Sequence, residues 1–433
     1  MSFMEFPKVN ITIEGMEGIK IPKMYKIKQI YDSSKIEDLK SWTLKELEEK
    51  LPEEQKESFK GKRICITCGS RGIPNQDLIV KTVLDWLKVK GANPFIVPAM
   101  GSHGGGTAEG QKDYLKGFNI TEETMGVPIL SSMEVVQIGE LDDGTPVYCD
   151  KYAYESDGII VFNKIKPHTD FKGKYESGLA KMCAIGLAKH KGASMFHMMG
   201  FPTFADRIPK VAKVFLEKAP FAFGIGVVEN AYGQICELEV VTRSNLLERE
   251  AALLEIAKSR IAKFKMNSID VLIIDEIGKN ISGNGHDPNI TGRSNSKGFE
   301  HILDCKKLFI RGLTKESKHN ACGLSAADIT TRRVMNDIDL EVTWTNVVTS
   351  TMLNGGKLPM YVESDREAIL ICIRTCNNID FNKPRVVRIK NTASMDYILV
   401  SEAYYDELKD RDDVEIISGP FEMEFDENGN LVD

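Results

Sequence analysis

The strongest constraint on this chain is the alternation of short apolar runs with longer amphipathic ones. Lys62–Thr67 (KRICIT) is a short apolar strand, and Gln76–Lys90 (QDLIVKTVLDWLKVK) has the helical spacing of Ile79, Val80, Val83, Leu84 and Leu87 before Gly91 ends it. Asn93–Ala99 (NPFIVPA) is the next strand, followed by a loop around His103 and a helix with Thr107 as its cap. This strand–helix–strand–loop–helix order predicts parallel strands with a ligand site at their carboxyl ends. Gly158–Phe162 (GIIVF) and Phe221–Val228 (FAFGIGVV) extend the sheet, and Asn245–Phe264 is an amphipathic helix.

With 433 residues the chain exceeds one ordinary core. The polar break Met266-Asn267-Ser268 divides it into an N-terminal catalytic and cofactor-binding domain, residues 1–266, and a C-terminal α/β domain, residues 267–433. In the second half Ile269–Ile274 (IDVLII), Lys307–Gly312 (KLFIRG) and Ala368–Ile373 (AILICI) read as strands, and Asn428-Gly429 signals a hairpin. The fold class expected is α/β, two domains with mainly parallel sheets and an active site in the cleft between them.

No basic region followed by an apolar run opens the chain, and no run of eighteen apolar residues occurs, so a soluble, cytoplasmic protein without a membrane partner is expected. A net charge of −7 gives no general attraction to nucleic acid. Nine cysteines, an odd number, sit in apolar contexts and are read as buried free thiols; Cys65 and Cys68 share an extended run without a second pair to complete a zinc site.

Against that acidic background, Lys166–His197 holds three histidines, six lysines and four glycines in 32 residues. Its polar residues, among them His168, Lys172, Lys174, Ser177, Lys181, His190 and His197, alternate with small residues that admit a ligand to the backbone. A second cluster, Gly101-Ser-His103-Gly104-Gly105-Gly106, offers backbone N–H groups to an anion beside a helix start. Arg71, directly after the first strand, is placed to grip a carboxylate or phosphate. His103 and His168, on loops from different strands, suit a proton donor and acceptor flanking one substrate. Lys181, beside small and apolar residues, suits an amine nucleophile, and His190 and His197 are candidate metal ligands. The polar loop Gly283–Asp287 with Arg293–Lys297 is either a surface loop or a cover for the site.

These clusters together resemble the nickel-dependent lactate racemase family, over roughly Arg71 to His197 and more loosely beyond. The resemblance implies a lysine-linked nickel-pincer nucleotide, that is, nickel held by a pyridinium-3,5-bisthiocarboxylic acid mononucleotide, supplied by cofactor-synthesis enzymes. It implies His103 and His168 as paired acid and base, and Arg71 as the contact for a substrate carboxylate or cofactor phosphate. Lys181 would carry the cofactor, with Gly104, Gly105, Ser177 and Gly178 about it and His197 on nickel. Lys172 or Lys174 competes with Lys181, and His190 with His197. The activity implied is racemisation or epimerisation of a small 2-hydroxy acid by reversible hydride transfer. Two other readings stand beside it: a divalent-metal hydrolase with His103, His168 and His190 as ligands, and a non-catalytic anion-binding protein.

Overall fold

The computed structural model describes residues 3–11 and 15–432. The chain forms two compact units, Asp32–Ile261 and Met1–Tyr31 with Ala262–Asp433. Strand β1 (Met24–Gln29) belongs to the second unit.

Within Asp32–Ile261, β2 (Arg63–Cys68) and β3 (Asn93–Pro98) are joined by the helix Gln76–Val89, whose Ile79, Val80, Val83, Leu84 and Leu87 are all buried. A two-stranded ribbon, β4 (Val135–Glu140) and β5 (Pro146–Asp150), precedes β6 (Gly158–Lys164), β7 (Phe221–Glu229) and β8 (Ile235–Val241). The main sheet has the order β3-β2-β6-β7-β8, parallel except for β8. Ile66 lies opposite both Ile96 and Ile160, and all three are fully buried. Each such isoleucine contributes about 1.5–3 kcal/mol of burial, enough to hold this register against a one-residue slip. The chain runs from β2 out to β3 and returns to the other side of β2 as β6. The strand order therefore reverses beside β2, and the crevice at the carboxyl ends of β2 and β6 is where such sheets hold ligands.

The other unit is built on an eight-stranded sheet of order β12-β11-β10-β9-β13-β14-β1-β15. Its parallel part comprises β9 (Ser268–Ile274), β10 (Asp304–Ile310), β11 (Ile329–Thr331), β12 (Met360–Val362) and β13 (Val386–Ile389). β14 (Tyr397–Ser401), β1 and β15 (Val414–Phe421) complete it in antiparallel fashion. This separates the units differently from the expected division at 266/267. The boundary falls at Ile261/Ala262, and the N-terminal segment joins the C-terminal unit because β1 supplies the backbone partner that both β14 and β15 need.

Two local expectations are corrected. Ala368–Ile373 lies in a helix, Asp365–Thr375, whose N-terminus is capped by the Ser364 side chain accepting from the Glu367 N–H. Ala368, Ile369, Ile371, Cys372 and Ile373 are all buried, so the run shows no polar face, and apolarity alone does not separate such a helix from a strand. The Ser-x-x-Glu pattern at Ser364–Glu367 was the signal that does. At Asn428-Gly429 the turn forms, with Gly429 at φ 76°, but the arms share only the single bridge Phe425–Leu431. Among the described residues no helix is long and apolar enough to cross a membrane.

Ile27, fully buried on β1 opposite Ile398 and Ile416, is a sensitive point for the second unit. Ile27→Ala should lower its stability by about 2–5 kcal/mol, measured by chemical denaturation.

Candidate active site

The carboxyl ends of β2, β3 and β6 carry the candidate residues. After β3 the chain turns through Gly104, Gly105 and Gly106, all with left-handed backbone (φ 66°, 68° and 66°). At Gly104 a side chain is also excluded by space, since a Cβ would lie 2.8 Å from the Gln111 nitrogen. A Cβ on Gly105 meets nothing within 4 Å, so that part of the loop is open to a ligand. Thr107 caps the helix Ala108–Lys116 by accepting from the Gly110 N–H. His103, exposed at the head of this turn, has its Nδ1 in a short hydrogen bond with the Ser70 hydroxyl, from the loop after β2.

His168 is buried after β6, and its loop is fixed by Glu176, whose side chain is fully buried. Glu176 Oε2 accepts from the His168 backbone N–H at 2.7 Å and Oε1 from Gly173 N–H at 3.3 Å. The ring is held at both nitrogens. Asp170 N–H donates to Nδ1 at 3.0 Å, and Nε2 lies 2.5 Å from Lys181 Nζ. A neutral imidazole has one N–H and one acceptor nitrogen. With Nδ1 accepting, the proton is on Nε2, which then donates to Lys181, and a lysine that accepts is a neutral amine. The electrostatics agree. Burial, reinforced by the Arg71 charge, lowers the Lys181 amine to about 7. Burial also pushes His168 well below its ordinary range, with the charges of Lys181, Lys166, Arg71 and Lys172 acting the same way.

Arg71 is exposed at the end of β2 and makes no hydrogen bond or ion pair among the described residues. The loop that bears it is tied down by Lys164, which donates to the Gly72 carbonyl at 3.0 Å and pairs with Glu229 at 2.6 Å. His197 lies on the helix Lys189–Met198, and burial, with the charge of Lys181, lowers its pKa. Phe201 connects the histidines, with its ring 6.0 Å from that of His168 and 5.4 Å from that of His197. Phe171 lies 4.3 Å from the His168 ring, and Phe171, Phe201 and Phe204 pack on one another as a buried apolar wall.

The structure thus brings Arg71, His168 and Lys181 together, links His103 to the residue before Arg71, and sets His197 within the field of Lys181. The competing lysines are placed differently: Lys172 is 3.7 Å from the Glu176 carboxylate and Lys174 is exposed above the Tyr175 ring. His190 is exposed and lies against Gly106. Ser177 pairs its backbone with Lys166, and a Cβ on Gly178 would fall 2.3 Å from Glu250 Oε1, so both shape the turn into Lys181. Buried Glu250 accepts from Ala180 N–H at 2.7 Å, and burial raises its carboxyl to about 7. The three histidines of the hydrolase reading are not gathered into a ligand set; no group of three or more His, Cys, Asp and Glu side chains among the described residues is placed to hold a metal. In the polar loop of the second half, His286 and Asn289 are buried and Asp287 caps the short helix Pro288–Thr291, so it is a folded internal element. Sequence reasoning missed Ser70, Asp170, Glu176 and the phenylalanine wall. Ser70 alone carried a signal, since it adjoins Arg71 at a strand end.

Residues 19–205 match the lactate racemase N-terminal domain family, a span containing every candidate residue named for the site. That segment is similar to the N-terminal domain of lactate racemases. Its fold is that of the lactate racemase apoprotein from Thermoanaerobacterium thermosaccharolyticum, with 17% identity and a TM-score of 0.52 over 85% of this chain and 99% of that one. A protein from Thermotoga maritima is similar at 14% identity and a TM-score of 0.48, over 82% of this chain and 96% of its own. No curated protein matches the chain in sequence.

Two outcomes follow for this site. Trinitrobenzenesulfonate labelling of Lys181, read by peptide mass spectrometry, should rise to half its plateau near pH 7, where an ordinary lysine (pKa about 10.4) is still almost wholly protonated. His168→Leu removes the donor to the neutral amine and should move that midpoint upward. Gly178→Ala should cost about 1–3 kcal/mol in thermal or chemical unfolding through its clash with Glu250, and Glu250→Ala should relieve part of that loss in the double variant.

Proposed function

We propose that this protein is a racemase or epimerase of a small 2-hydroxy acid, working through a lysine-linked nickel-pincer nucleotide. The observation that carries the reading is the contact between His168 Nε2 and Lys181 Nζ at the carboxyl end of β6, where burial lowers the lysine amine to about 7 and holds the histidine well below its ordinary range. The residues suit the cofactor. Lys181 has the protonation state that covalent attachment needs, His197 would ligate nickel, and the open N–H groups at Gly104 and Gly105 would take a phosphate, with Ser177 and Gly178 shaping the approach to Lys181. When bound, such a group supplies a reversible acceptor for the C2 hydrogen with its electron pair.

The chain's own residues supply the rest. Arg71 holds the substrate carboxylate through two parallel hydrogen bonds. His168 takes the substrate hydroxyl proton on Nε2 from the tautomer that carries its own proton on Nδ1, and Asp170 serves both tautomers. The Asp170 N–H supports a bare Nδ1, while its carboxylate, 3.8 Å away, favours a proton there. Low basicity keeps His168 uncharged at neutral pH and therefore available as a base. His103, with Nδ1 engaged by Ser70, exchanges its proton at Nε2, so that two histidines serve the two enantiomers. The Phe171–Phe201–Phe204 wall keeps water from the reacting carbon.

Protein produced together with cofactor-synthesis enzymes should contain nickel and an added mass on the Lys181 peptide, and Lys181→Ala should lose both. With the loaded protein, a panel of single-enantiomer 2-hydroxy acids in deuterated water should yield one racemised substrate that largely retains its C2 hydrogen. His103→Ala and His168→Ala should each slow that reaction by about 10²–10⁴-fold. Absence of both nickel and added mass would overturn the reading, as would wholesale deuterium uptake at C2.

A further inference from the structure

Behind the His103 loop lies a buried charged group that the reaction does not use. Lys189 stands between Lys181 and His197, has a left-handed backbone (φ 53°) and is wholly inaccessible to solvent. Its Nζ donates to the Pro98 carbonyl at 2.5 Å and to Gln111 Oε1 at 3.2 Å, and it forms an ion pair with Asp150 Oδ2 at 3.2 Å. Asp150 is equally buried and also caps a helix through Ala153 N–H. Gln111, fully buried too, uses its amide group to donate to the Gly101 carbonyl at 2.9 Å and the His103 carbonyl at 3.1 Å. A second tie joins the same segments, since Gly101 N–H donates to the Gly186 carbonyl at 3.1 Å.

We infer that Lys189, Gln111 and Asp150 form a positioning strut that fixes His103 relative to Lys181. The acceptors of the strut are the last residue of β3, Pro98, and two residues of the turn itself, Gly101 and His103. Its source is the segment that carries Lys181 and His197. Lys189 bonds the Gln111 side-chain oxygen, and the same Gln111 amide group donates to the two turn carbonyls, so the lysine and the turn share one side chain. Asp150 compensates the buried charge, and Gln111 passes the constraint from Lys189 to the carbonyl of the proposed acid–base histidine.

The catalytic consequence rests on the reading of His103 given above, whereas the geometric claim does not, so the two are tested separately. Histidine ring signals of the apoprotein are followed by carbon–proton NMR, His103 being assigned by its loss in His103→Gln, with His286 and His319 of the other unit as internal references. In Gln111→Leu and Lys189→Met the His103 ring signal should shift and broaden and its titration midpoint should move, while the His286 and His319 signals stay in place. Gln111→Asn keeps the amide and should retain part of the native signal. If Lys189→Met fails to fold, Gln111→Leu decides alone. An unchanged His103 signal in folded Gln111→Leu overturns the strut, whether or not the protein racemises anything. In cofactor-loaded protein the same variant should lower kcat by up to about 100-fold with KM nearly unchanged, as expected for a misplaced proton donor; an equal effect on KM alone would overturn the positioning role.

Discussion

The site depends on the pairing of β2 with β3 on one side and β6 on the other. Because all three strands are parallel, their carboxyl ends lie along one edge, and the reversal of strand order beside β2 opens a crevice there. Ser70 and Arg71 leave β2, the His103 turn leaves β3, and Lys166 and His168 leave β6. Residues up to about a hundred positions apart in the chain therefore converge without any one loop having to be long. A slip of one residue in the Ile66–Ile96–Ile160 register would disrupt the packing on both faces of the sheet and displace the strand ends that bear these residues.

What gathers at that edge is an excess of positive charge in a chain that is acidic overall. Arg71, Lys166 and Lys172 all act on buried His168, and the combined result of burial and the local positive charge is that the basicity of both His168 and Lys181 is lowered. Carboxylates are present, but Glu176 is committed to backbone N–H groups and Glu250 lies beneath the turn into Lys181. One arrangement of burial and charge thus lowers the basicity of both His168 and Lys181. The aromatic wall of Phe171, Phe201 and Phe204 lowers the local polarity and strengthens it.

Much of this was legible from residue pattern. The apolar runs of β2, β3, β6 and β7 and the amphipathic helix Gln76–Val89 fell where their periodicity put them, because a strand buried on both faces and a helix with one apolar face leave distinct spacings. Ala368–Ile373 did not, since a helix buried on most sides carries the same apolar run as a buried strand. The membership of β1 in the C-terminal unit was illegible for a different reason. Strand pairing is a long-range choice, and MYKIKQ carries no mark of whether it pairs with Ile398 and Ile416 or with a neighbour in sequence.

At the site, the sequence by itself determined which chemical groups were available: Arg71, His103, His168, Lys181 and His197, each placed at a strand end or in the segment that follows β6. It also determined the three-glycine turn after His103, because consecutive left-handed residues require glycine there. Only the tertiary structure decided that Lys181, and not Lys172 or Lys174, meets His168. It alone produced the partnership of Ser70 with His103 and the burial of Lys189 beneath the turn. The physical reason is common to all of these: protonation and hydrogen bonding are set by what surrounds a group once water is excluded, and those surroundings come from segments that are remote in sequence.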